Sequence, residues 1–198
     1  MSHGHDRALF YSRITPVVLS FIIVACGGGG EKAEEGSAAA ATGGTPDLDA
    51  CAVMREVDLA GFLGATPDTL VQILKASREG MAVAQCVASI DTLPQTLGLM
   101  LRYEAGGKNP STREQWIDRE LGADVMGMGE EAAAAIRAAE DVSGLGDLAL
   151  AYEMVGSNLA VFWGKGRYQM VVTSTGFEDP ARGRQALEAV ARQTLSKY

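Results

Sequence analysis

The order of helix-like and strand-like segments predicts an α+β fold, with a mainly antiparallel sheet of about five strands and helices packed on one face. Two helices, two strands, further helices, three strands and a last helix follow one another, without strand–helix–strand alternation. Short turns at residues 156–158 and 165–166 separate the last three strands and favour antiparallel hairpins. The chain is long enough for one domain with its own core.

Local patterns set the boundaries of the elements. Gly64 ends the first helix, and Pro67 suits the first turn of the second. Ser111 and Glu114 have the spacing of a capping box before the third helix, and Asp179 caps the last one. The predicted elements are helices over 51–63, 66–79, 112–121, 130–140 and 180–197, and strands over 84–91, 97–104, 148–154, 159–163 and 168–174.

Residues 1–25 have the pattern of a secretory signal. Basic residues precede an apolar run of 12 residues, 14–25, which is shorter than a membrane span of roughly 20 residues. A transmembrane anchor is the alternative interpretation. Residues 26–46 are rich in Gly, Ala and Glu, lack Leu, Ile, Val and aromatic residues, and predict a flexible tether. Residues 47–198 then form a single globular domain.

Cys26 follows Ile23, Val24 and Ala25 at the end of the apolar run. This sequence resembles the lipobox of bacterial lipoproteins. The resemblance implies that the Cys26 sulfur receives a diacylglycerol, that the signal is cut before it and that the new amine is acylated. Two or more acyl chains make a stable membrane anchor. The protein is then expected outside the cytoplasm, anchored to the cell membrane or to the outer membrane.

Lipidation of Cys26 leaves an even pair of cysteines, Cys51 and Cys86. Outside the cytoplasm such a pair normally forms a disulfide. The loop that it closes spans about 36 residues, and the chain-entropy model assigns such a crosslink roughly 3–4 kcal/mol. Two buried free thiols are the alternative.

Composition argues against several classes of function. Both histidines, His3 and His5, lie within the predicted signal, so the mature chain has no histidine to act as a general base or metal ligand. The Gly-x-Ser-x-Gly and Ser-x-x-Lys patterns of hydrolases are absent from the mature chain. A net charge of −8 disfavours nucleic acid and anionic lipid surfaces. We therefore expect no enzyme activity, no metal, no cofactor and no nucleic-acid partner.

Three other patterns have ordinary structural explanations. Residues 144–149 match the Gly-x-Gly-x-x-Ala pattern of dinucleotide-binding loops but enter a strand, so we expect a tight turn. Met126 and Met128 offer soft thioether ligands, although a flexible connection is the simpler interpretation. Glu130 and Glu131 are neighbours on a helix, so their carboxylates point apart and predict an acidic surface.

The globular region also resembles a group of small proteins. Residues 51–64 read as a Cys, a short helix and Leu-Gly, Cys86 opens a strand, and Gly-Leu-Gly-Asp at 144–147 leads into a hairpin and a C-terminal helix. This combination is similar to small actinobacterial lipoproteins of unknown function. The resemblance supports the disulfide and the α+β class, departs from the group at residues 66–79, and implies no catalytic residue.

Aromatic and basic residues gather on the last two strands and on the turn between them. Trp163, Lys165, Arg167 and Tyr168 form the predicted partner-binding site. Exposed aromatic and basic side chains are typical of binding hot spots, and packing of the rings in the core is the alternative. We expect a non-catalytic envelope lipoprotein that binds a protein partner. A carrier or sensor of a small apolar ligand is the alternative function.

Overall fold

The computed structural model describes residues 44–122 and 129–198. The predicted signal, Cys26, nearly all of the tether and the two methionines near residue 127 lie outside the described residues. Within the two described ranges, no helix is both long and apolar enough to cross a membrane.

An antiparallel sheet organises the domain. Its strands are β1 (Thr69–Arg78), β2 (Met81–Ser89), β3 (Thr96–Glu104), β4 (Glu140–Asp141), β5 (Leu148–Met154), β6 (Gly156–Trp163) and β7 (Tyr168–Thr175). They lie in the order β1-β2-β3-β7-β6-β5-β4, and every neighbouring pair is antiparallel. The predicted α+β class is thus confirmed, but the sheet has seven strands and not about five.

Strand β1 stands where the sequence predicts a helix over 66–79. Its pairing with β2 shifts register between Gln72 and Leu74, which marks a β-bulge. The bulge breaks strict alternation, so the apolar residues at 70–74 acquire the spacing of a helical stripe. Gly80, expected to end the helix, lies instead in the turn of the β1–β2 hairpin with a φ of 72°. This region was therefore predicted wrongly.

The two-residue strand β4 is the second addition to the sheet. It pairs with β5 at the edge opposite β1, and two residues are too few to show a strand period in the sequence. Strand β6 begins at Gly156, so the turn before it lies at Val155 and not at 156–158. The other four predicted strands, which are β2, β3, β5 and β7, begin and end within three residues of their predicted bounds.

Aspartate caps fix where three helices begin. Asp49 and Asp58 accept hydrogen bonds from the Ala52 and Gly61 N–H groups at 2.7 and 3.1 Å. The predicted helix over 51–63 is therefore two short helices. Asp179 accepts from Ala181 N–H, which confirms its predicted role as a cap. The helices are α1 (Ala50–Arg55), α2 (Leu59–Leu63), α3 (Arg113–Gly122), α4 (Glu130–Arg137) and α5 (Pro180–Lys197).

The start of α3 differs in detail from the predicted capping box. Thr112 Oγ1 accepts from the Gln115 N–H at 3.2 Å, while the Gln115 side chain accepts from the Ser111 N–H at 2.9 Å. The bonds resemble a capping box but use Thr112 and Gln115 in place of Ser111 and Glu114, and the Gln115 side chain bonds the residue before Thr112.

Helices pack on both faces of the sheet, not on one face as predicted. Helices α1, α2 and α5 belong to the larger core on the first face. On the second face, Trp116 of α3 and Ile136 of α4 pack with Leu150 and Phe162. Neighbouring strand residues point to opposite faces, so Val161 belongs to the first core and Phe162 to the second. The sheet is therefore the middle layer of three where β5 and β6 lie.

Candidate functional site

The predicted binding residues meet at the hairpin between β6 and β7. Trp163 pairs with Tyr168 at the end of the two strands, and residues 164–167 form the turn. Lys165 adopts a left-handed conformation with a φ of 60°. Its backbone N–H donates a hydrogen bond to Asp147 Oδ2 at 3.1 Å. Because the Asp147 side chain holds the backbone of Lys165 in this uncommon conformation, the turn has a defined shape.

The loop after β3 is attached to this hairpin. Glu104 N–H donates to the Arg167 carbonyl oxygen at 2.8 Å, and Asn109 N–H donates to the Gly166 carbonyl oxygen at 3.2 Å. These bonds bring Lys108, which lies in the same loop and is exposed, to the same end of the sheet. Sequence reasoning missed Lys108 because a contact between distant segments leaves no local pattern.

Trp163 supports this surface from beneath. The residue is 8% exposed, and its ring stacks on Tyr168 with centroids 5.1 Å apart and an interplanar angle of 14°. Tyr103 packs against the same Tyr168 ring at 4.9 Å. Tyr168 is partly exposed, and burial of its ring raises the pKa of its hydroxyl. Of the predicted aromatic pair, Tyr168 is thus the ring that reaches the surface.

Three basic side chains are exposed at this end of the sheet. They belong to Lys108, Lys165 and Arg167. None of the ion pairs found in residues 44–122 and 129–198 includes any of the three. The chain as a whole carries a net charge of −8. We call these three residues and Tyr168 the basic hairpin end, a locally positive surface on an acidic protein.

Cys51 and Cys86 form the predicted disulfide. The bond joins α1 to β2, and both residues are buried, at 2% and 0% exposure. It crosslinks two segments that are 35 residues apart. The prediction of a disulfide is confirmed, and the bond anchors α1 on the first face of the sheet.

The glycine pattern at residues 144–149 forms a turn, as expected. Asp147 N–H donates to the Phe162 carbonyl oxygen at 2.8 Å, and the chain then enters β5. Glu130 and Glu131 are exposed in the first turn of α4. Across the part of the chain that is described, no group of three or more His, Cys, Asp or Glu side chains could hold a metal ion.

Two small depressions are found on the described surface, and the second is lined in part by Asp147, which contacts the hairpin. One, of about 150 Å³, is lined by Phe62, Phe177 and Arg182 among others. The second, of about 240 Å³, follows the loop at 141–149. Both are smaller than the roughly 300 Å³ at which pockets for drug-sized molecules begin.

Comparison with protein-family models, with curated proteins and with solved structures finds no match to this chain. The geometry and charge of the described residues are therefore the basis for a functional proposal.

Proposed function

We propose that this protein is a membrane-anchored, non-catalytic lipoprotein of the cell envelope whose extracytoplasmic domain binds a protein partner. The observation that carries the proposal is the basic hairpin end. There Lys165, Arg167 and Lys108 are exposed without ion pairs among the described residues, beside the ring of Tyr168. Tyrosine and arginine are enriched in the energetic centres of protein interfaces.

The anchor in this proposal is the lipid on Cys26. Two features of the sequence favour lipidation of Cys26: the lipobox-like residues before it and the predicted tether over 26–46. A random coil of this length has a root-mean-square reach of roughly 25 Å. The Cys51–Cys86 disulfide fits an oxidising compartment outside the cytoplasm. An anchored domain can then meet partners within one tether length of the membrane.

The rigidity of the hairpin favours recognition. The Lys165 turn is fixed by Asp147, and the Trp163–Tyr168 stack holds the Tyr168 ring in place. Side chains held in position before binding lose less conformational entropy when the complex forms. Three cations that form no ion pair among the described residues attract an acidic surface and raise its association rate. An acidic protein surface is therefore the partner that this end of the domain fits best.

A small apolar ligand has less support. The two depressions measure about 150 and 240 Å³, and charged or loop residues line much of each. A carrier encloses most of its ligand's surface. An exposed hairpin instead suits a macromolecule, because such a partner can cover a surface that has no cavity.

The experiment is crosslinking in the native envelope, followed by affinity capture of the full-length protein and mass spectrometry. The test variant is Lys165→Glu/Arg167→Glu. The control is Arg184→Glu/Arg192→Glu, which makes the same change in net charge on exposed residues of α5. We expect the captured partner to fall roughly tenfold or more in the test variant, in the range of hot-spot losses, and to persist in the control.

Equal capture by the test variant and the control would refute the assignment of the binding surface. The anchor has its own test, Cys26→Ser, which should leave the protein uncut by the lipoprotein peptidase and without acyl mass. Normal acylated protein in that variant would contradict the lipoprotein proposal and leave the hairpin result intact.

A further inference from the structure

The predicted tether joins the domain at the same end of the sheet as the basic hairpin end. Thr45 Oγ1 accepts a hydrogen bond from the Gly80 N–H at 2.9 Å and donates one to the Arg78 carbonyl oxygen at 3.2 Å. Both of these partners belong to the β1–β2 turn. The Gly80 carbonyl oxygen accepts from the Ala105 N–H at 2.8 Å, in the loop that is also bonded to the β6–β7 hairpin. Hydrogen-bonded turns therefore connect the tether attachment to the basic hairpin end.

The sheet order gives the separation of these two features. Thr45 bonds the turn between β1 and β2, and Lys165 stands in the turn between β6 and β7, with β3 between the two hairpins. Three strand spacings of about 4.8 Å place the tether attachment roughly 15 Å from the basic turn. The opposite end of the sheet is one strand length away, which is about 30 Å for the 9 residues of β3. The basic hairpin end is thus close to the tether, and the opposite end is far from it.

Charge also distinguishes the two ends of the sheet. Of the acidic residues near the basic hairpin end, Glu104 forms an ion pair with Arg102 at 3.4 Å, and Glu79 is next to Arg78 in the β1–β2 turn. The Asp147 carboxylate there is bonded to the hairpin backbone. An acidic partner is attracted by the basic hairpin end and meets like charge at the opposite end. The exposed acidic residues at that opposite end are Asp68, Asp91, Glu153, Glu178 and Asp179.

The length of the predicted tether favours an orientation with the basic hairpin end toward the membrane. With Cys26 lipidated, residues 26–46 have a root-mean-square reach of roughly 25 Å. When the basic hairpin end faces the membrane, the tether spans only the gap between the two. When that end faces outward, the attachment point lies at least one strand length, about 30 Å, from the membrane. The outward orientation therefore stretches the tether beyond its usual reach, which costs conformational entropy.

We infer that the partner of the basic hairpin end is a protein of the membrane that holds the anchor, and that it presents an acidic surface beside the lipid headgroups. This partner assignment rests on the proposed function, since it requires both the anchor on Cys26 and binding at the hairpin. Two proteins held in one membrane have a raised effective concentration, which allows a small contact surface to sustain binding.

The fixed turn favours a protein over the headgroups themselves. Lipid headgroups attract basic residues by charge alone. The shape that Asp147 gives to the Lys165 turn adds to binding only when the partner has a complementary shape. A protein surface provides that shape as well as the opposite charge.

Photocrosslinking from the full-length protein in native membranes tests this partner assignment. Gly106→Cys, labelled with a benzophenone maleimide, places the probe beside Lys108. Gly106 is exposed and uncharged, and apart from its chain neighbours a Cβ there meets no atom closer than 3.7 Å. The matched control is Thr92→Cys, at an exposed uncharged residue in the β2–β3 loop at the opposite end of the sheet. The labelled parent chain gives the background from its own cysteines.

We expect Gly106→Cys to crosslink one protein roughly tenfold or more above the yield from Thr92→Cys. In cells that lack this lipoprotein, the crosslinked protein should remain in the same membrane fraction after an alkaline carbonate wash. Adding Lys165→Glu/Arg167→Glu to Gly106→Cys should lower the yield by roughly tenfold. Equal melting temperatures of the cysteine variants and the parent show that the fold is intact.

A crosslinked protein that the carbonate wash releases, or that belongs to another membrane, would overturn the assignment and leave the hairpin as a binding site. Adducts with lipid alone would overturn it in favour of the headgroups. Equal yields from the two cysteine variants, or no crosslink from either, would overturn it as well. Failure of the proposed function itself is seen separately, as unchanged capture by the charge-reversal variant or as normal acylation of the Cys26→Ser variant.

Discussion

Loss of the Cys51–Cys86 crosslink should destabilise the domain markedly. We consider the double substitution Cys51→Ala/Cys86→Ala, which removes the bond and places small apolar side chains at two buried positions. Alanine avoids the cost of burying a serine hydroxyl without a hydrogen-bond partner. The loop that the bond closes contains α1, α2, β1 and part of β2. All of these segments gain conformational freedom in the unfolded state when the bond is lost.

The magnitude follows from the separation of the two residues. For a separation of 35 residues, the chain-entropy model gives about 3.8 kcal/mol at 25 °C. For a domain of this size each kcal/mol lowers the melting temperature by about 2–4 °C, so we expect a fall of roughly 8–15 °C. The loss of two buried sulfur atoms adds to this change because it leaves unfilled space in the core.

The measurement is urea unfolding and thermal melting of the variant and the parent at neutral pH. The single variant Cys51→Ala is the control, since it loses the same crosslink and should lose a similar amount of stability. A decrease below about 1 kcal/mol in the double variant would refute the loop-entropy argument. Because both cysteines are buried, a reductant should act on the parent much faster in urea than on the native protein.

Two further predictions concern pH. The hydrogen bond from the Ala52 N–H holds the pKa of the Asp49 carboxyl below its usual value, with Lys75 also contributing. Asp49→Ala should therefore cost about 1 kcal/mol at neutral pH. That difference should persist down to about pH 4 and disappear as pH falls through the lowered pKa. A constant difference across urea titrations from pH 7 to pH 2 would contradict this. Burial, with a smaller effect of Glu120, raises the pKa of Tyr152 to about 12, so its contribution to stability is complete below pH 10 and is lost towards pH 12. Absorbance at 295 nm should show a late ionisation that Tyr152→Phe removes, while the raised ionisation of Tyr168 stays in the variant. If Tyr152→Phe removed no ionisation above pH 10, the ring would not be buried.

Predictions made from local sequence features are confirmed where residues close together in the chain determine the structure. The Asp179 cap, the turn at 165–166 and the strand over 97–104 have short-range signals in the sequence, and the structure confirms each of them. The disulfide was also predictable, because the compartment implied by the lipobox-like sequence leaves two cysteines to pair. In each of these cases the residues that form the structure lie close together in the sequence or, like the two cysteines, have one possible partner.

The errors occur where distant segments decide the structure. Residues 69–78 have a helix-like apolar spacing, yet pairing with β2 makes them a strand with a bulge. Of the two rings in the predicted binding site, Trp163 is buried, because Tyr168 and the first core cover it. The placement of Lys108 beside Lys165 depends on backbone hydrogen bonds between two loops. Local periodicity contains no information on such contacts.

The sequence by itself therefore determined the α+β class, the antiparallel hairpins, the Asp179 cap and the cysteine pair, because short-range patterns and residue counts specify them. It also predicts an extracytoplasmic lipoprotein, which remains a prediction. The tertiary structure alone decided the seven-stranded order, the helices on both faces and the burial of Trp163. The physical reason is that these features depend on which apolar surfaces pack together, and packing between distant segments is settled only when the whole chain folds.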